Sequence, residues 1–170
     1  PVVIEVYAAG DEVELLLNGE SLGRKPAGDK AGYYVLFDAV YQPGTLEAGS
    51  YEGGIVIGKS CLTTADGPCH LAAEAEQPGT KEGLIYINIA KLAQNGTVAA
   101  HADEVISVTA DSNVRVLGFG SGDPKPLYNY TDAEAKTFNG RALLVVQKID
   151  ANSPATIALV SQTGTIRFSI

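Results

Sequence analysis

The sequence predicts an all-β protein built as two tandem β-sandwich domains. Short runs that are rich in β-branched and aromatic residues recur along the 170-residue chain. Gly, Pro and Asn turn signals separate these runs at intervals of about 8–12 residues, a spacing typical of sandwich and barrel strands. Helix-compatible sequence is confined to 71–76, which also fits a strand, and to 131–136, which is long enough for one turn. A doubly wound α/β enzyme is therefore excluded.

The first domain is predicted to contain six strands joined by tight turns. Asn18-Gly19 follows the second strand, and Asn-Gly supplies the positive φ that both central positions of a type I′ hairpin turn require. Pro43-Gly44 and Gly53-Gly54 mark two further turns. The predicted strands are 2–7, 12–17, 21–24, 33–37, 45–48 and 55–57.

A domain boundary is predicted within 63–68, which lacks periodicity and ends in Gly-Pro. The domains then span 1–66 and 67–170. Turns are expected at 78–80 and at Asn95-Gly96, the second followed by an extended segment at 97–100. Seven strands in about a hundred residues are typical of an immunoglobulin-like sandwich. These strands are 71–76, 84–90, 104–110, 114–119, 142–147, 155–160 and 165–168.

The charge balance excludes two classes of partner. Acidic residues number 20 and basic residues 12, which gives a net charge of -8. Nucleic acids and anionic membranes both need a basic surface, so neither is expected to bind. No stretch approaches the ~20 apolar residues of a membrane span. Because the chain begins with Pro1 and contains no Met, we expect a module of a longer protein.

The cysteines and histidines do not form a recognisable metal site. Cys61, Cys69 and His70 lie near one another in sequence, but His101 is distant and a fourth ligand is missing. We favour two unrelated thiols over a disulfide. A nucleophilic cysteine would need a positioned base, and the sequence places none.

The carboxylates are interpreted as solvated surface groups. Glu12 and Glu14 share one strand face, but a glycosidase pair must flank a cleft. Asp123, Asp132 and Glu134 could supply oxygen ligands for calcium, but their spacing fits no EF-hand loop. We expect Asp123 to cap the turn that the following proline fixes.

No catalytic, cofactor-binding or metal-binding residue is therefore predicted. The glycine-rich segment 118–122 lacks the Lys-Ser/Thr of a P-loop, and no G-x-S-x-G elbow occurs. One candidate for carbohydrate contact remains, formed by Tyr128, Tyr130 and Phe138 beside this segment. Ordinary packing is the favoured alternative, since the chain contains no Trp. Tyr33 and Tyr34 should point to opposite faces of a regular strand, which would put one of them in the core.

Two sets of segments resemble one known family. Segments 6–7, 11–25 and 37–48 resemble the small β-domain that follows the catalytic barrel in bacterial glycoside hydrolase family 2 β-galactosidases, although Phe37 stands where that pattern usually has Trp. Segments 118–124, 128–131 and 137–143 resemble the immunoglobulin-like C-terminal domain of the same enzymes. The two sets of segments occur in the same order as in the family. Together, the two resemblances cover nearly the whole chain.

The resemblance implies a parent that cleaves terminal β-galactosides with two glutamates of an upstream barrel. No position here matches their motifs, so no catalytic residue is carried over and no cofactor is expected. The expected partners are that barrel and, in the parent, a homo-oligomer; carbohydrate is a further candidate. Arg141 is hypothesised to pair with an acid. The alternatives are a carbohydrate-binding module and an immunoglobulin-like spacer of a cell-surface protein, and a periplasmic or extracellular location is favoured over a cytoplasmic one.

Overall fold

The computed structural model describes residues 1–76, 83–150 and 152–170, and nearly all of its regular structure is β-strand. The chain divides into two compact units, Pro1–Thr64 (unit 1) and Ala65–Ile170 (unit 2). The all-β prediction is confirmed. The turn predicted at 78–80 lies outside the described residues. None of the described residues forms a helix with the length and hydrophobicity that a membrane crossing requires.

Unit 1 consists of a four-stranded antiparallel sheet, in the order β3-β2-β5-β6, and a two-stranded sheet of β1 and β4. A short 3₁₀ helix at Asp29–Ala31, which the sequence did not predict, precedes β4. The strands are β1 (Val2–Tyr7), β2 (Glu12–Leu17), β3 (Glu20–Pro26), β4 (Tyr34–Ala39), β5 (Thr45–Glu52) and β6 (Ile55–Thr63).

The predicted hairpin turn between β2 and β3 is confirmed. Asn18 and Gly19 both have positive φ, at 54° and 85°. The Asn18 side chain also accepts a hydrogen bond from the Thr45 N–H at 2.8 Å and donates one to the Pro43 carbonyl at 3.1 Å. The turn residue therefore also fixes the chain that enters β5.

The core of unit 1 follows the alternation of β2 and β4. Val13 and Leu15 of β2 are buried with Val35 and Phe37 of β4. The expectation that one residue of the Tyr33–Tyr34 pair lies in the core is wrong, because both are exposed. Tyr33 has a φ of 66° and precedes β4, so the inward positions begin at Val35.

Unit 2 consists of two four-stranded antiparallel sheets, in the orders β10-β12-β8-β7 and β11-β9-β13-β14. Their buried side chains form one hydrophobic core, which includes Ile87 and Leu144 of the first sheet and Ile106 and Ile157 of the second. The strands are β7 (Cys69–Glu76), β8 (Leu84–Ala93), β9 (Val105–Ala110), β10 (Val114–Gly120), β11 (Glu134–Lys136), β12 (Arg141–Lys148), β13 (Thr156–Ser161) and β14 (Gly164–Ser169).

One local prediction in unit 2 is wrong. The segment 131–136 does not form a helical turn, because Glu134–Lys136 pairs with β9 as strand β11 and buries Ala135 between two exposed charged neighbours. The segment 97–100, which was expected to be extended, forms an isolated bridge between Val98 and Leu92.

A buried ion pair connects the two sheets of unit 2. The alternation of β8 places Lys91 at an inward position, where its side chain is 1% exposed. Its Nζ lies 2.5 Å from Oε1 of Glu104, which immediately precedes β9. The Thr163 hydroxyl, in the turn between β13 and β14, hydrogen-bonds both charged groups. Because each ion has a partner, the desolvation cost of burying it is offset.

This ion pair should make stability depend on pH. Burial raises the pKa of Glu104, but hydrogen bonds from Lys91, Thr163 and Ser161 together hold that pKa below its ordinary value of 4.5. A carboxylate with a lower pKa in the folded than in the unfolded chain stabilises the fold above pH 4.5. That stabilisation is lost as the pH falls through the folded-state pKa.

We therefore expect the urea midpoint of the wild type to fall more steeply on acidification from about pH 5 to about pH 3 than that of Glu104→Gln. Both proteins share all other carboxylates, so the difference in slope isolates Glu104. Equal slopes would contradict this assignment.

Candidate functional site

An open groove of about 520 Å³ lies on the outer face of the β10-β12-β8-β7 sheet in unit 2. Leu144 and Val146 of β12 point into the core, so the alternating positions Leu143 and Val145 face outward and form the groove floor. The cross-strand register places Leu143 directly between Gly120 of β10 and Asn88 of β8. The other lining residues are Ile89, Gly118, Phe119, Ser121, Gly122, Tyr130, Arg141 and Ala142.

The glycine-rich end of β10 forms one wall of the groove. One edge of the Tyr130 ring abuts Gly120, because a Cβ on that glycine would stand 2.3 and 2.5 Å from two adjacent ring carbons. The Phe119 N–H donates to the Tyr130 carbonyl at 2.7 Å and fixes the loop against the strand. Segment 118–122 therefore packs the edge of an aromatic ring against glycine backbone.

The three aromatic residues predicted for carbohydrate contact have different environments. The Tyr128 hydroxyl is hydrogen-bonded to the backbone N–H and the hydroxyl of Ser121, at 3.1 and 2.9 Å, and its ring packs on the core. The Tyr130 ring is perpendicular to it, with centroids 6.2 Å apart, and is 54% exposed. Phe138 is less exposed and lies before the Asn139-Gly140 turn. Of the three, Tyr130 lines the groove.

Two polar side chains of the groove were not predicted as site residues. Asn88 lies opposite Leu143, and Arg141 lies opposite Ala90, so both project from the outer face. Neither side chain forms a hydrogen bond with the described residues, 1–76, 83–150 and 152–170. Arg141 was predicted to pair with an acid, but it forms no ion pair with any acidic residue in these ranges. The signal that could have found them is the period-2 alternation of β8 and β12, combined with the pairing of these two strands.

The acidic residues considered as calcium ligands each have a separate local partner. Asp123 accepts a hydrogen bond from the Lys125 N–H at 2.8 Å, which confirms the predicted turn cap. Asp132 accepts from the Asn129 N–H, and Glu134 accepts from the Ser107 hydroxyl. Within the part of the chain that the structure describes, no three acidic, His or Cys side chains converge as a metal site.

Glu12 and Glu14 are also engaged on their own sheet. Glu12 forms an ion pair with Arg24 at 3.5 Å. Glu14 accepts hydrogen bonds from the hydroxyls of Ser21 and Tyr51, which hold the pKa of its carboxyl below the ordinary value. These contacts tie β2 to β3 and β5.

Both thiols are free, as favoured from the sequence. Cys61 is exposed on β6, and Cys69 is half-buried at the start of β7.

A second groove, of about 420 Å³, lies in unit 1 and is lined mainly by apolar side chains. Ile4 and Leu46 line its inner part, while Val40, Tyr41 and Leu62 are exposed at its mouth. Among its described lining residues, only Tyr41 is titratable.

Two family models match the chain. Residues 1–58 match "Domain of unknown function (DUF4982)", and residues 70–165 match "Glycoside hydrolase family 2 C-terminal domain 5". The curated relative Beta-galactosidase BoGH2A from Bacteroides ovatus is 27% identical over 159 residues, which is 92% of this chain and 19% of that protein. The chain thus spans about a fifth of the length of this relative.

Solved structures share the fold. A glycosyl hydrolase family 2 member from Bacteroides cellulosilyticus aligns with 99% of this chain and 24% of its own, with a TM-score of 0.88 and 24% identity. A beta-glycosidase from Bacteroides vulgatus aligns with 99% of this chain and 22% of its own, with a TM-score of 0.85 and 24% identity. The second family model covers more than half of the chain and confirms the resemblance stated from the sequence. The chain therefore belongs to the glycoside hydrolase family 2 C-terminal domain 5 family.

Proposed function

We propose that the chain is the non-catalytic C-terminal accessory region of a family 2 β-galactosidase, organised as domains 1–66 and 67–170. In this proposal the parent hydrolyses terminal β-galactosides in an upstream catalytic barrel, and this region supports the barrel or an oligomer of the parent. The observation that carries the proposal is the match of 92% of the chain to only 19% of a β-galactosidase.

The chemistry of the described residues supports the non-catalytic part. A retaining glycosidase needs two carboxyl groups about 5 Å apart on either side of the sugar. The groove of unit 2 has no Asp or Glu among its described lining residues, and the pair on β2 is engaged by Arg24, Ser21 and Tyr51. These residues can hold a surface in place, but they do not supply an acid and a nucleophile.

The surface of unit 1 supports a packing role. Ile55, Ile57 and Leu62 of β6 are exposed, as are Val40 and Tyr41 beside the apolar groove. Val40, Tyr41 and Leu62 line the same groove, and exposed apolar patches of this kind mark interaction sites. We infer that it packs against the barrel of the same parent chain or against another copy of the parent.

The purified 170-residue chain is expected not to hydrolyse a chromogenic β-galactoside, because its described residues lack a carboxyl pair beside a cleft. The measurement is release of nitrophenol over hours at high protein concentration. The β-galactosidase of Bacteroides ovatus provides the positive control. Turnover by the chain itself, proportional to its concentration, would overturn the non-catalytic assignment.

A further inference from the structure

Gly118 is a glycine that neither the backbone nor the packing of β10 requires. Its φ lies outside the left-handed region, and a Cβ there would meet only the Tyr130 carbonyl oxygen, at an ordinary contact distance of 3.7 Å. A register shift occurs between Val116 and Gly118, but the glycine itself keeps an ordinary φ. Glycine within a strand weakens the strand and often marks a bulge, or the close approach of a ligand or of another backbone. Its effect here is to keep the groove of unit 2 open.

Arg141 supplies a positive charge without a compensating acid. Its guanidinium pairs with none of the described carboxylates, although the chain carries 20 acidic and 12 basic residues. The described lining of the groove contains no Asp or Glu. A guanidinium presents a planar fork of donors that matches a carboxylate in bidentate geometry. The charge of the groove is therefore complementary to a ligand with a carboxylate.

The remaining groups suit a flat, hydroxylated ring. Tyr130 is 54% exposed and one edge of its ring is held against Gly120, and the apolar faces of sugar rings stack on exposed aromatic rings. Asn88 can both donate to and accept from hydroxyl groups. The volume of about 520 Å³ falls in the range of small-molecule sites.

We propose that this groove binds a uronic-acid residue, with its carboxylate on Arg141, its ring face on Tyr130 and its hydroxyls toward Asn88. The site lies in the family 2 C-terminal domain and requires no hydrolysis, so it is independent of the proposed accessory function.

The test is a titration of the 170-residue chain with methyl β-galacturonide and with methyl β-galactoside, followed by the backbone amide signals of β10 and β12. We expect saturable shifts with the uronide and affinity at least about tenfold weaker for the neutral sugar, since a charge-assisted hydrogen bond contributes about 1.5–3 kcal/mol. Arg141→Gln should remove this preference.

Gly118→Val should abolish binding of both sugars, because its methyl groups would occupy the groove, while the melting temperature stays unchanged or rises. Gly118→Ala, the smaller change, should weaken binding. Gly58→Val is the matched control, since Gly58 lies in β6 of unit 1 with an ordinary φ and open space around its Cβ. Absence of saturable uronide shifts at β10 and β12, as expected if another protein segment occupies the groove, would overturn the proposal. So would uronide binding that Gly118→Val leaves intact. Either result would leave the hydrolysis experiment and its conclusion untouched.

Discussion

Replacing Lys91 by methionine is expected to destabilise unit 2 by about 3–5 kcal/mol, the cost of removing one partner from a buried ion pair. Lys91 is 1% exposed and its partner Glu104 is 9% exposed, so little of either charged side chain contacts solvent in the folded state. Methionine fills a similar volume, which limits any cavity. The remaining penalty comes from the Glu104 carboxylate, which keeps only the Thr163 and Ser161 hydroxyls. Urea unfolding followed by far-UV circular dichroism measures the change.

The double variant Lys91→Met/Glu104→Leu is the matched control. It removes both charges together, and replacing a whole buried pair by apolar residues is often neutral or stabilising. We therefore expect the double variant to recover most of the stability that the single variant loses. A single variant as stable as the wild type would show that the pair is solvated and would contradict the buried assignment.

Replacing Phe37 by alanine is expected to cost about 3–5 kcal/mol in unit 1, because it combines lost burial with a cavity. Phe37 is 1% exposed and is the largest buried side chain in a core whose other buried members are Val13, Leu15, Ala27 and Val35. A loss of this size is comparable to the whole stability of a small domain. Hydrogen exchange of the β2 and β4 amides reports unit 1 separately from unit 2.

Leu36→Ala tests whether the loss of stability in Phe37→Ala comes from removing a buried side chain or from shortening any side chain of β4. Leu36 is the neighbour of Phe37 on the opposite face of β4 and is 45% exposed. We expect its replacement to change stability by no more than about 0.5 kcal/mol, as for surface positions in general. Equal losses of exchange protection in the two variants would contradict the core placement of Phe37.

Strand pattern and turn chemistry were sufficient to predict most of the fold. The 12–17 strand and the Asn18-Gly19 turn agree with the structure because alternation and positive φ are local properties. Position 33 was mispredicted, since its positive φ delays the start of β4 by one residue. The 131–136 segment was mispredicted because only pairing with the distant strand β9 gives it a strand conformation.

The candidate site was only partly accessible from the sequence. Tyr130 could be proposed because aromatic residues cluster near a glycine-rich loop. Asn88 and Arg141 could not be proposed, because they line one groove only when β8 pairs with β12 in the observed register. Lys91 was missed for a related reason: its inward position follows from strand alternation, but its partners Glu104 and Thr163 come from the other sheet.

The unpaired edge of strand β6 bears on how the isolated chain associates with itself. All nine of its residues are exposed, and among the described strands it pairs only with β5, so its other edge presents backbone donors and acceptors to solvent. Such an edge can recruit an identical strand from another molecule and begin aggregation. Lys59, ion-paired with Glu47 at 2.8 Å, places a charge in the middle of this edge. We expect that charge to hinder fibrillar association wherever the edge is left uncovered.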